Sequence, residues 1–122
     1  MPHPVSPQPR LSLRIDLPGG ARFGPGMAAL LGAIRAEGSI RAGASALGMS
    51  YPKALKLIDS MNAAFATPLV SARHGGVSRG GARLTETGDA VLQLYHEVCD
   101  TAATANRTRL ATLASRLAPA GD

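Results

Sequence analysis

From Leu11 to Leu17 apolar and polar residues alternate, with Leu11, Leu13, Ile15 and Leu17 separated by Ser12, Arg14 and Asp16. A period of two puts the apolar side chains on one face, so the segment predicts a half-buried strand, which Pro18, Gly19 and Gly20 end. The period then lengthens. Met27, Leu30, Leu31 and Ile34 recur at helical spacing behind Pro25, which suits a first helical turn because its missing N–H would have no partner there. Gly38 supplies the stop. Ser39 is a good N-cap for a short second helix with Ile40, Ala44 and Leu47 on one face, and Gly48 ends it. Ser50 caps a third helix, with Pro52 tolerated in its first turn. Ala54, Leu57, Ile58, Met61 and Phe65 form its buried face, and Thr67-Pro68 closes it.

Leu69 to Arg73 predicts a short strand and Ala82 to Leu84 a returning one. The loop between them runs His74-Gly75-Gly76-Val77-Ser78-Arg79-Gly80-Gly81, half of it glycine, as a flexible hairpin tip would be. Thr85 caps a final helix whose stripe is Val91, Leu94, Tyr95, Val98, Ala102, Ala105, Leu110, Leu113 and Leu117. Unbroken, it would span ~32 residues and ~48 Å, more than so small a domain covers. Its Ala-rich stretch Thr101–Ala105 is the weakest part. Pro2, Pro4, Pro7 and Pro9 predict a disordered tail over residues 1–10. The expected organisation is therefore that tail, a body over 11–85, a long helix over 86–117 and a short tail over 118–122.

The 122 residues amount to one domain. Thirteen Lys and Arg against eight Asp and Glu give a formal charge of +5. Within residues 41–83 the basic residues Arg41, Lys53, Lys56, Arg73, Arg79 and Arg83 face the single acid Asp59, and acids elsewhere balance the remainder. Such an excess favours a polyanionic partner. Two Phe, two Tyr and no Trp disfavour a protein that stacks single-stranded bases. The lone Cys99 excludes an intramolecular disulfide and a Cys-cluster zinc site. His3, His74 and His96 are scattered, and the glycine loop lacks the phosphate-binding G-x-x-x-x-G-K-[ST] pattern. The expectation is no enzyme, no metal, no cofactor and no membrane span, in a soluble cytoplasmic protein associated with the nucleoid.

Helix, glycine stop, short capped helix, capped helix and hairpin are the order of a winged helix-turn-helix. The predicted fold is mainly α with a small β-hairpin wing, plus a long C-terminal dimerisation helix. Ala44 and Gly48 are expected at close-packing positions that let the third helix cross the second steeply. That helix would then enter a major groove about 12 Å wide. Its outward positions are Tyr51, Lys53, Lys56 and Ser60.

The stretch GSIRAGASALGMSYPKALKLIDSMN, then PLVSARHGGVSRGGARLTETG and Leu94-Tyr95, closely resembles the DNA-binding domain of the ModE family. These are molybdate-responsive bacterial regulators related to the LysR-type helix-turn-helix, and the resemblance runs from about Leu11 to about Val98. It implies a dimer whose recognition helix and wing both touch DNA. Ser50, Tyr51 and Lys53 fall at the start of that helix and Lys56 one turn on. Arg73, Gly75, Gly76, Arg79, Gly80 and Gly81 fall on the wing. Arg41, His74 and Arg83 complete the candidate DNA-binding set. Pro52 and Leu55 stand where many relatives have a basic or polar residue and a Trp, so no operator sequence carries over.

The candidate dimer interface is Leu13 and Ile15 with Val91, Leu94, Tyr95, Val98, Leu110, Leu113 and Leu117. The expected function is a homodimeric, sequence-specific regulator that binds double-stranded DNA at an inverted-repeat operator. The recognition helix covers about 51–64 and the wing 74–81. The alternatives are an interaction or sensor module that pairs with a full-length regulator without reading DNA, and a non-specific architectural binder. The family holds its oxyanion in domains beyond the DNA-binding one, and only some twenty residues follow Thr101. Molybdate binding by this chain is therefore not expected.

Overall fold

The computed structural model describes residues 8–72 and 81–119. Strand β1 (Ile15–Asp16) pairs antiparallel with β2 (Arg22–Phe23), Ile15 opposite Phe23, around a 3-10 turn at Pro18–Gly20. The strand expected over Leu11–Leu17 thus pairs over two residues only. Its upstream part follows α4 instead, with the Leu13 carbonyl accepting a hydrogen bond from the Tyr95 hydroxyl at 2.6 Å. Sequence periodicity also missed β2, which is too short to show a period.

Helix α1 (Pro25–Glu37) buries Ala28, Leu30, Leu31 and Ile34. Gly38 ends it at φ 82°, in the left-handed region glycine favours, and its N–H donates to the Ile34 carbonyl at 2.8 Å. Ser39 then caps α2 (Ile40–Ala46), its Oγ accepting from the Ala42 N–H at 3.0 Å. Ser50 does the same for α3 (Tyr51–Ala64) through the Lys53 N–H. Each cap satisfies a donor that has no carbonyl partner within its helix. Two details differ from expectation. Leu47 lies beyond α2 and is 40% exposed, so it does not extend the buried face of Ile40 and Ala44. The close-packing glycine is Gly43, where a Cβ would sit 3.0 Å from the Ile34 backbone nitrogen, whereas a Cβ at Gly48 would meet nothing. The tight seam is therefore between α1 and α2.

Helix α3 stops at Ala64, and Phe65 is already extended, three residues ahead of Pro68. Strands β3 (Val70–Ala72) and β4 (Ala82–Leu84) form the expected hairpin stem, with Val70 opposite Leu84 and Ala72 opposite Ala82. The tip at residues 73–80 lies outside the described residues. Thr85 caps α4 (Glu86–Ala105) through the Gly88 N–H at 3.0 Å. The single helix expected over 86–117 is two, because α5 (Arg107–Ser115) begins after a break at Asn106. The Asn106 side chain and backbone N–H both turn back onto the Ala102 carbonyl, at 2.8 and 3.1 Å. The backbone bond is the last of the α4 ladder, and the side-chain amide shares its acceptor, a local competition for that carbonyl at the point where the helix breaks.

Leu30, Leu31, Ile34, Met61, Leu69 and Leu92 are the largest fully buried side chains, so the core joins α1, α3, the hairpin and α4. Phe23 meets Tyr95 edge to face at 5.1 Å, which attaches the first hairpin to α4.

Candidate nucleic-acid interface

Ala54, Ile58 and Met61 anchor α3 in the core. Lys53, Lys56 and Ser60 are exposed, close together on the far side of the same helix. The capped first turn fixes where the two lysines project. The ion pairs among the described residues are Arg14–Asp16 at 3.0 Å and Arg35–Asp89 at 3.4 Å. Neither involves Lys53, Lys56, Arg41 or Arg83, so among the described residues these four exposed cations have no carboxylate neutralising them. Positive charge without an internal partner attracts an external anion.

Tyr51 behaves differently from the lysines. It is half-buried, and the Arg41 guanidinium of α2 lies over its ring with Cζ 4.3 Å from the centroid. The expectation that Tyr51 points outward beside Lys53 is corrected accordingly: two residues apart means about 200° around a helix, which turns Tyr51 toward α2. Ser50 Oγ is occupied as the cap. Gly81 lies against the end of α1, where the Ala82 N–H donates to the Gly38 carbonyl at 2.9 Å and a Cβ on Gly81 would approach that oxygen to 3.3 Å. Arg73, His74, Gly75, Gly76, Arg79 and Gly80 lie outside the described residues.

One positioning residue escaped the sequence reading. Asn62 Oδ1 accepts from the backbone N–H of Leu69 at 2.8 Å and of Val70 at 3.2 Å, and its Nδ2 donates to the Val70 carbonyl at 3.2 Å. This single side chain fastens the end of α3 to the start of the hairpin. A lone Asn at a helix end carries no periodic signal that would have revealed it.

The expected interface residues fall into two groups. Leu94 is 59% exposed and Val98 47%, and they border an apolar groove of about 160 Å³ with Ile15 and Val91 half-buried beside them. On α5, Leu113 and Leu117 are exposed and Leu110 half-buried. Tyr95 is the exception. It is 6% exposed, packs on Phe23 and donates to Leu13, so it is a core residue beneath the groove. The half-buried Leu13 is held there by its backbone. Burial raises the Tyr95 pKa above 10, and the neighbouring Cys99 adds to this through a hydrogen bond and its own charge. Among the described residues no group of His, Cys, Asp or Glu could hold a metal ion, and no helix is long and apolar enough to cross a membrane.

Two capped helices joined by a glycine turn, the second presenting unpaired lysines, with a β-hairpin following, define a winged helix-turn-helix. Residues 28–89 match the bacterial regulatory helix-turn-helix proteins of the lysR family, and the chain belongs to that family, one of regulators rather than enzymes. It is also 43% identical over 76 residues to the molybdenum-pterin-binding protein MopB of Rhodobacter capsulatus, covering 62% of this chain and 28% of that protein. To MopA of the same organism it is 36% identical over 89 residues, 72% of this chain and 34% of MopA. To the transcriptional regulator ModE of Yersinia pestis it is 42% identical over 71 residues, 58% of this chain and 27% of ModE. The chain thus spans about a third or less of the length of these curated relatives.

Proposed function

We propose that this chain binds double-stranded DNA as a homodimeric transcription regulator, with α3 in the major groove and the β3–β4 wing on the backbone or minor groove. The observation that carries the reading is the pair Lys53 and Lys56, exposed and, among the described residues, without an ion-pair partner, on the face of α3 opposite Ala54, Ile58 and Met61. Arg41 and Arg83 add charge from α2 and β4. The groove bordered by Leu94 and Val98 supports self-association, since apolar surface on one side of a long helix is stabilised by a second copy. Two-fold symmetry would set the recognition helices about 34 Å apart, one turn of DNA, and the operator would be an inverted repeat.

The names of the relatives bring molybdenum into view, but Thr101, Thr104, Thr108 and Thr112 are exposed along two successive helices and form no enclosure for an oxyanion. Operator affinity is proposed to be independent of molybdate. The deciding experiment is in vitro selection from a random duplex pool with the purified chain. A discrete inverted repeat, bound more weakly by the Lys53→Ala/Lys56→Ala double variant, is the expected result. Charge-dependent binding with no enriched sequence would leave only an architectural binder, and no binding at all would leave a protein-interaction module.

A further inference from the structure

Arg41 and Tyr51 come from different helices and meet across the turn that joins them. Arg41 sits in the first turn of α2, exposed and without a carboxylate partner among the described residues. Tyr51 opens α3, half-buried, with its ring under the guanidinium at 4.3 Å. An arginine on an aromatic face gives up rotamer freedom but keeps its edge N–H groups, because the ring occupies only one face of the plane. It is therefore a preoriented cation with its donors open to solvent. In helix-turn-helix docking the first helix of the pair crosses the DNA backbone while the second enters the groove. A fixed guanidinium on that first helix is placed for phosphate rather than for a base edge.

We infer that Arg41 and Tyr51 act as one unit, a phosphate clamp in which Arg41 makes the contact and Tyr51 is a positioning residue that holds it. The inference rests on the DNA-binding reading above. It assigns Tyr51 a role distinct from that of Lys53 and Lys56. The tyrosine matters through its ring face, and neither member of the clamp reads sequence. Phosphate contacts fix register and leave a signature in salt dependence.

The experiment is fluorescence anisotropy with a labelled mixed-sequence duplex of about thirty base pairs, titrated with the full chain between ~50 and ~200 mM salt. Each phosphate contact contributes about −0.9 to the slope of log K against log salt, which over that fourfold range is about a 3.5-fold change in affinity. Arg41→Ala should flatten the slope by about one such contact per protomer. Tyr51→Leu should do nearly the same, the double variant should add little to either, and Tyr51→Phe should keep the wild-type slope. Melting temperature should fall by only a few degrees in Arg41→Ala, whose side chain is exposed and gives up only its stacking on Tyr51. A wild-type slope for Arg41→Ala, with Lys53→Ala still flattening it, would overturn the clamp and leave the DNA reading standing. Equal losses for Tyr51→Phe and Tyr51→Leu would also overturn it, because the hydroxyl itself would then be the contact. Absence of wild-type binding to the duplex would remove the DNA reading and the clamp with it.

Discussion

Replacing Gly88 by alanine sets two physical arguments against each other. Gly88 lies in the first turn of α4, and helix propensity alone says the change should stabilise the protein by about 1 kcal/mol. The packing says otherwise. A Cβ at Gly88 would run into the Leu69 carbonyl oxygen, with the carbonyl carbon at 3.0 Å and the Leu69 Cα at 3.3 Å. These are backbone atoms of a fully buried residue, so no flexible side chain can move aside. Relief requires the first turn of α4 to lift away from the start of the hairpin. That turn is tied down by the Thr85 N–H to the Leu69 carbonyl at 2.9 Å, Thr85 Oγ1 to the Pro68 carbonyl at 2.7 Å, and the Gly88 N–H to Thr85 Oγ1 at 3.0 Å. Overpacking costs about 1–3 kcal/mol, and weakening bonds worth about 1 kcal/mol each adds to it. Against the propensity gain, the net loss is about 2–4 kcal/mol, or about 10–20 °C of melting temperature in a domain this size. Thermal melts followed by far-UV circular dichroism measure it directly. Gly32→Ala in α1 is the matched control, since a Cβ there meets nothing within 4 Å, and it should melt at or above the wild type. A Gly88→Ala protein as stable as the Gly32→Ala protein would refute the packing argument.

Three other outcomes follow from the same contacts. Asn62→Ala leaves the Leu69 and Val70 N–H groups and the Val70 carbonyl without their side-chain partner, and should cost about 1–3 kcal/mol by chemical denaturation. Tyr95 has its pKa raised above 10.0 by burial and by Cys99, so its contribution to stability is complete below pH 10 and falls as pH rises through the higher folded-state value. Tyr95→Phe should remove that part of the alkaline stability loss while lowering neutral-pH stability by about 1 kcal/mol for the bond to Leu13, as melts across the alkaline range would show. Leu94→Lys should shift sedimentation toward monomer and abolish the concentration dependence of the melting temperature while the chain stays folded, because the side chain is exposed within its own domain.

What the sequence made legible was punctuation. Ser39, Ser50 and Thr85 stand where a hydroxyl must accept a backbone N–H, and Gly38 stands where the chain must turn left-handed, and all four do so in the structure. Caps are local chemistry, so one residue and its neighbours suffice to read them. The lysines of α3 were legible for a similar reason: polar residues opposite a buried triad declare their side of the helix. Features that depend on two distant segments were not. Nothing near Asn62 announces the hairpin it binds, nothing near Arg41 announces the Tyr51 ring, and the pairing of Arg22 and Phe23 with Ile15 and Asp16 exists only in space. Gly43 shows the same limit, since its need for a missing side chain comes from Ile34 on another helix.

Helix α4 shows why periodicity located a broad apolar arc while misassigning one of its members. The apolar stripe read from the sequence included Val91, Leu94, Tyr95 and Val98 but omitted Leu92. In the structure Gly88, Leu92 and Tyr95 are the buried residues of α4 and Cys99 is half-buried, continuing the same four-three-four spacing. Val91, Leu94 and Val98 are spaced three and four apart on an adjoining strip that is only partly covered or exposed. Two adjoining strips merge into one broad apolar arc in any sequence profile, because a profile reports which side chains are apolar and not which already have neighbours. The arc is wider than one domain needs to bury. The Tyr95 hydroxyl, tied to Leu13, and its ring, set against Phe23, fix which strip faces inward. The rotation of α4 about its own axis is thereby determined, and Leu94 and Val98 are left bordering the open groove. The contact that makes Tyr95 a core residue is thus the one that leaves its neighbours at the open groove, where a second copy is proposed to dock.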